Sequence, residues 1–167
     1  MSPAPGGALG ALEGSGLGQA MRQWLWLYPS VEVVHIVGIG LLFGSIAVLD
    51  LRLLGFSRSI PVRKLARHVL PWTAGSFLLI VPSGLLMFTA HATEFIDSGV
   101  FVVKMLLIMA AGINAALFHT ITFRTADVWD SEEMRKLPPP PSARLAGGLS
   151  LLLWISVIAC GRLLAYF

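Results

Sequence analysis

The stretch HVLPWTAGSFLLIVPSGLLMFTAH, residues 68–91, decides the fold, because it is an apolar run of membrane length with a histidine at each end. No residue between His68 and His91 carries a formal charge. Its twenty-three helical steps of about 1.5 Å give about 34 Å, slightly more than the roughly 30 Å hydrocarbon core of a bilayer. The stretch therefore predicts a membrane-spanning helix with its two imidazoles at opposite membrane faces.

The composition of the whole chain also indicates a membrane protein. Of 167 residues, 56% are hydrophobic and 13% are charged, and the mean hydropathy is +0.78. These values lie far from the averages of soluble proteins. The net charge of +3 does not indicate a nucleic-acid partner, because the basic residues lie in short loops beside apolar runs. We expect membrane lipid, and no nucleic acid, to surround the chain.

Four apolar segments predict an all-α fold, an integral membrane four-helix bundle with a short N-terminal interfacial helix. Residues 1–30 are expected to form a flexible tail and an amphipathic helix on the membrane surface. Residues 31–167 are expected to form the bundle, and Pro71 and Pro82 are expected to kink its second helix. The expected spans are residues 31–54, 69–91, 100–123 and 145–167.

The distribution of Lys and Arg predicts the orientation. Nine of them lie on one side, five in residues 52–67 and four in residues 124–144, against three on the other side. Cytoplasmic loops are enriched in these residues. We expect both basic loops in the cytoplasm and both termini in the periplasm.

The four histidines fall into two pairs at the span ends. His35 begins the first span on the side where His91 ends the second, and His68 begins the second span on the side where His119 ends the third. Two imidazoles from neighbouring helices can ligate one haem iron, above and below the porphyrin. The pattern predicts two haem b groups, with His35 and His91 on one iron and His68 and His119 on the other.

Small and cationic residues are expected to complete these haem sites. Glycines leave room for a macrocycle between helices, and haem propionates favour cations at the membrane edges. The expected cofactor-binding residues besides the histidines are Gly44, Gly75, Gly84, Lys104, Arg162 and Arg67.

Bis-histidine ligation leaves no open iron position, which indicates electron transfer. We therefore expect a di-haem b-type membrane cytochrome that exchanges electrons with a quinone pool, a partner redox protein or a dehydrogenase subunit. We expect an electron-transfer protein or a subunit of a redox complex more than a stand-alone enzyme. The chain is also expected to be a subunit of a larger complex or a homo-oligomer. A proton-relay role for Glu32, one turn from His35, is an alternative to a structural ion pair.

Two other interpretations stay open. One is a soft-metal (copper) transporter or sensor, and the other is a cofactor-free packing subunit of a larger membrane complex. The first lacks a repeated sulfur motif. Its ligands would come from His35, His91, Met87, Met105, Met109 and Cys160.

Three runs resemble a family of small bacterial four-span proteins of unknown function. They are WLYPSVEVVHIVGIGLLFGSIAVLDLRLLGF (26–56), IPVRKLARHVLPWTAGSF (60–77) and LLLWISVIACGRLLAYF (151–167). This resemblance implies a bacterial inner-membrane location. The histidine arrangement is also similar to that of four-helix di-haem cytochromes of the b561 type, although here His68 and His91 share one helix.

Overall fold

The computed structural model describes residues 7–164, and the regular structure in this range is helical throughout. This confirms the all-α fold class. The expected loose tail at residues 1–6 and the end of the fourth span at residues 165–167 lie outside the described residues. The α-helices are α1 (Ala8–Glu13), α2 (Gly16–Gln23), α3 (Leu27–Leu54), α4 (Val62–Ala90), α5 (Ala92–Asp97), α6 (Gly99–Leu117), α7 (Ala126–Trp129) and α8 (Pro141–Leu163).

Four helical segments are long and apolar enough to cross a membrane, as the sequence predicts. They are α3, α4, α8 and a segment of 31 residues, Gly99–Trp129, that continues α6 through a π turn and a 3-10 turn into α7. α4 begins at Val62 and not at residue 69, because Pro61 precedes its first turn with an extended backbone. α8 likewise begins at Pro141, where proline is well tolerated. Pro71 and Pro82 lie inside α4, which continues through both.

The central helices of the structure are α3 and α8. α3 packs against α4 on one side and α8 on the other, and α8 packs against α6. Glycines allow close approach at these contacts: a Cβ added at Gly147 would lie 3.0 Å from the Asp50 carbonyl oxygen. Between the described residues of α4 and α6 there is no comparable packing. α4 and α6 therefore flank the central pair.

The N-terminal helices cover the far end of α4. Arg22 Nη1 donates to the Ala90 carbonyl (2.8 Å), and the Glu13 carboxylate accepts from the Thr93 amide (2.7 Å). These two side chains thereby supply hydrogen-bond partners to backbone groups that the helix ends leave unpaired. The Thr93 hydrogen bond holds the pKa of Glu13 below its ordinary value. Met21 is buried here. The expected single interfacial helix is thus two helices that are fastened to the bundle by specific hydrogen bonds.

The opposite end, which we call the basic end (residues 55–61 and 118–140), is organised by a buried ion pair. Arg52 Nη2 lies 2.6 Å from Asp130 Oδ1, and the two side chains are 2% and 5% exposed. The other Asp130 oxygen accepts from the Val62 amide (2.6 Å), and Arg52 Nε donates to the Ile60 carbonyl (2.7 Å). The pair therefore joins the end of α3, the start of α4 and the segment that leads to α8.

We expect the Asp130→Asn variant to lose about 3 kcal/mol of unfolding free energy, because it leaves the Arg52 guanidinium buried without a counter-charge. Chemical unfolding in detergent micelles measures this loss. The matched control is Asp127→Asn, whose partner Arg63 and own side chain are 40% and 74% exposed. The control is expected to lose less than about 1 kcal/mol. Equal losses in the two variants would contradict the organising role of the buried pair.

Candidate functional site

His35 lies on α3 and faces α4. Its Nδ1 is 2.9 Å from the Ser83 hydroxyl oxygen. A Cβ added at Gly84 would lie 3.1 Å from His35 Cε1. The space beside Gly84, which the sequence assigned to a porphyrin, is therefore occupied by the His35 ring.

His91 lies at a different level from His35. It ends α4, with Nδ1 3.1 Å from a Glu94 carboxylate oxygen, and its ring meets the edge of the Tyr28 ring at a centroid distance of 5.9 Å. Tyr28 precedes His35 by seven residues, which is about 10 Å along a helix. The structure thus places Tyr28, and not His35, beside His91.

His68 lies next in the chain to the cavity that contains His119, but it is not part of the lining of that cavity. His68 is exposed on α4, and the residues of α4 that share a cavity with His119 include the next two, Val69 and Leu70. The ligation of a shared haem iron by either expected histidine pair therefore stays a prediction. Haem binding stays a prediction.

The other residues assigned to cofactor binding are dispersed. A Cβ at Gly44 or Gly75 would meet no atom within 4 Å, so these glycines do not mark a close approach. Arg67 and Arg162 are exposed, and Lys104 is half-buried with its Nζ 3.9 Å from the Cβ position of Gly161. Residues 7–164 hold no group of three or more His, Cys, Asp or Glu that could bind a metal ion. The copper interpretation therefore also stays a prediction.

A cavity of about 180 Å³ lies between the four long helices, towards the basic end. Three aromatic side chains, from α4, the π turn and α8, line it together with a larger number of aliphatic side chains. The aromatic residues are Phe77, Phe118 and Trp154. The polar lining consists of Ser45 and Asp50 on α3, Thr73 on α4, Asn114 on α6, His119 in the π turn and Ser150 on α8. A carboxyl, that of Asp50, and an imidazole, that of His119, thus line the same cavity.

Asp50 is the most unusual residue of the cavity. Its side chain is 5% exposed, and its Oδ2 atom has no hydrogen-bond partner among residues 7–164. The Ser150 side chain of α8 interacts with the carboxyl. Burying a polar atom without a partner costs free energy, and an ionisable group inside a membrane span is by default a functional candidate. Asp50 therefore marks this cavity as the candidate site.

His119 is presented to the cavity by irregular helical geometry. It lies in the π turn Phe118–Thr122, and π turns are frequent at functional sites. Its Nδ1 is 2.8 Å from the Ala115 carbonyl oxygen, which can only accept, so Nδ1 carries the proton of this hydrogen bond. The neutral ring then has its lone pair on Nε2, where it can accept a proton.

Hydroxyl groups line the contact between α3 and α4 from the cavity towards His35. Ser45 and Thr73 hydrogen-bond across the two helices (2.7 Å), Ser76 is fully buried, and Ser83 contacts His35. The α4 hydroxyls also donate to carbonyls of their own helix, which satisfies them in an apolar setting. Hydroxyl groups thus occur at several levels of this contact, from the Ser45–Thr73 pair to Ser83 beside His35.

The comparison with known protein families decides where the chain belongs. The model of a family of unknown function, DUF6644, matches residues 12–167. The chain belongs to DUF6644. No curated protein matches the chain, and no solved structure matches it. The expected membership of an unknown-function family is thereby confirmed, while the likeness to b561-type cytochromes gains no support.

In this DUF6644 chain, Asp50 is not among the site residues that the sequence predicted, although an acid one turn inside an apolar helix is itself a signal of function. Nothing in the sequence pairs Asp50 with His119, because the two lie on helices that are distant along the chain. Their shared cavity is visible only in the fold.

Proposed function

We propose that this chain is a membrane-embedded proton-transfer protein in which Asp50 and His119 exchange protons within the cavity. The observation that supports the proposal is the buried carboxyl of Asp50, whose Oδ2 atom has no hydrogen-bond partner among residues 7–164, in a cavity that His119 also lines. Carboxyl and imidazole groups are the side chains that most often transfer protons in proteins. Proton transfer needs only a donor and an acceptor, and the cavity offers one of each.

His35 supplies a second titratable group on the other half of the α3–α4 contact. It is fifteen residues from Asp50 on the same helix, about 22 Å along the axis. The buried hydroxyl of Ser76 lies on α4 between Thr73, which contacts Ser45, and Ser83, which contacts His35. We propose that protons enter at the cavity and that His35, beside Ser83, is the second proton-accepting group of the path.

We expect purified protein in proteoliposomes to conduct protons faster than empty liposomes, and Asp50→Asn to lower this rate at least about tenfold, because an amide cannot release the proton. A trapped pH-sensitive dye reports the rate, with a potassium gradient and valinomycin as the driving force.

Asp97→Asn is the matched control, since Asp97 is an exposed acid at the end of α5. Its rate is expected to equal that of the unaltered protein. A rate for the unaltered protein equal to that of empty liposomes, or an undiminished rate for Asp50→Asn, would refute the proposal.

Haem binding is the second candidate function, and the setting of His119 is the observation that favours it. Histidines that ligate metals usually donate their other ring N–H to a carbonyl or carboxylate, as His119 does to Ala115. A haem would supply one-electron transfer. The cavity of about 180 Å³ is smaller than pockets of roughly 300–1,000 Å³ that hold ligands of drug size, so the helices would have to separate.

If haem binds, we expect protein from haem-replete cells to show the reduced-minus-oxidised visible spectrum of a b-type haem. His119→Ala is expected to lose this spectrum, whereas His68→Ala is expected to keep it, because His68 is exposed and outside the cavity lining. A colourless unaltered protein would eliminate this candidate, and loss in His68→Ala would restore the bis-histidine interpretation.

A further inference from the structure

We propose that the cavity binds the ring head of a neutral, membrane-soluble amphiphile of the quinone class, which enters between α4 and α6. This inference deepens the proposed function, since it names what enters the cavity that holds Asp50 and His119. It rests on three features of the cavity, namely its opening, the aromatic side chains of its wall and the polar groups of its lining.

The opening lies between α4 and α6. These helices flank the central pair without packing extensively against each other in the described residues. Phe77 on α4 lines the cavity and is nevertheless 43% exposed, and Gly112 on α6 lines it and is exposed as well. The cavity therefore reaches the outer surface of the helices, which faces hydrocarbon when the four long helices span a bilayer.

The wall suits a flat ring. Phe77, Phe118 and Trp154 come from three different segments, and aromatic side chains stack favourably on other rings. Gly112 adds no side chain, and a Cβ built there would meet no atom within 4 Å. A volume of about 180 Å³ suits one substituted ring, whereas a porphyrin needs more.

The lining of the cavity supplies few polar groups that can bind a ligand. Asp50 Oδ2 has no hydrogen-bond partner among residues 7–164, and the Nε2 of His119 is not used by the Ala115 hydrogen bond. Ligand sites are typically apolar with a small number of such groups. Ring carbonyls or hydroxyls can hydrogen-bond to them, because a carboxyl and an imidazole each donate or accept according to protonation.

Two physical arguments favour a neutral head. A charged head entering through hydrocarbon would lose its hydration, which is costly. The carboxylate of a fatty acid would in addition meet the carboxyl of Asp50, and like charges in a buried site repel. A quinone or quinol avoids both costs and leaves its apolar tail in the lipid.

The test uses the full chain in lipid nanodiscs, titrated with a benzoquinone that carries a decyl tail. Quenching of tryptophan fluorescence reports binding, and Trp154→Phe identifies the responding residue. We expect saturable quenching in the unaltered protein and loss of the saturable component in Trp154→Phe, because Trp154 lines the cavity.

Gly112→Leu is the decisive variant, and Gly75→Leu is its matched control. An added Cβ meets no atom within 4 Å at either glycine, both lie within long helices, and only Gly112 lines the cavity. We expect Gly112→Leu to raise the Kd at least about tenfold, because its side chain fills the space for the ring, and Gly75→Leu to leave the Kd unchanged. Phe77→Ala removes an aromatic contact at the opening without adding volume and should also raise the Kd. This variant replaces Gly112→Leu as the test if Gly112→Leu does not fold.

Unsaturable quenching, which signals partition into lipid only, would overturn the inference, as would equal Kd values for Gly112→Leu and Gly75→Leu. Saturable binding of a decyl-chain fatty acid in place of the quinone would overturn the ligand class. Proton conduction that depends on Asp50 without quinone binding would refute this inference and leave the proposed function standing. Quinone binding without proton conduction would refute the proposed function and leave the quinone-binding inference standing.

Discussion

The buried contact between Arg52 and Asp130 is the constraint on which the basic end depends. Taking two charges out of water is costly, and the cost is offset only when further hydrogen bonds satisfy the ions. Here Arg52 Nε donates to the Ile60 carbonyl and the Val62 amide donates to Asp130, while Arg52 Nη1 has no hydrogen-bond partner among residues 7–164. Because α3 lies at the centre of the helices, fixing its last turn also fixes the cavity wall that carries Asp50, one turn from its end.

Much of the fold follows from the sequence because apolar length and helical periodicity are local properties. The four spans were predicted, and they correspond to the helices that are apolar enough to cross a membrane. The predicted first residues of the helices were less accurate. α4 and α8 begin several residues before the predicted spans, at Val62 and Pro141, because each helix extends beyond its apolar residues to a proline. The attachment of α1 and α2 could not be predicted, because the contacts of Glu13 with Thr93 and Arg22 with Ala90 join residues far apart in the chain.

The site could be predicted only in its chemical composition. The sequence places each histidine near a helix end. It specifies neither the rotation of a helix about its axis nor how far the neighbouring helix is displaced along that axis. A shift of two turns is enough to put Tyr28 beside His91 and to place His35 against Gly84. The cavity of Asp50 and His119 depends on how α3, α4, α6 and α8 are arranged around it, which no local pattern encodes.

Infrared difference spectroscopy across a pH step tests most directly whether the buried carboxyl of Asp50 gains and loses a proton. We expect a change in the C=O stretching band of a protonated carboxylic acid. The band should be absent from Asp50→Asn and retained in Asp97→Asn, because only Asp50 is buried in the cavity. An Asp50→Asn spectrum identical to that of the unaltered protein would contradict the account.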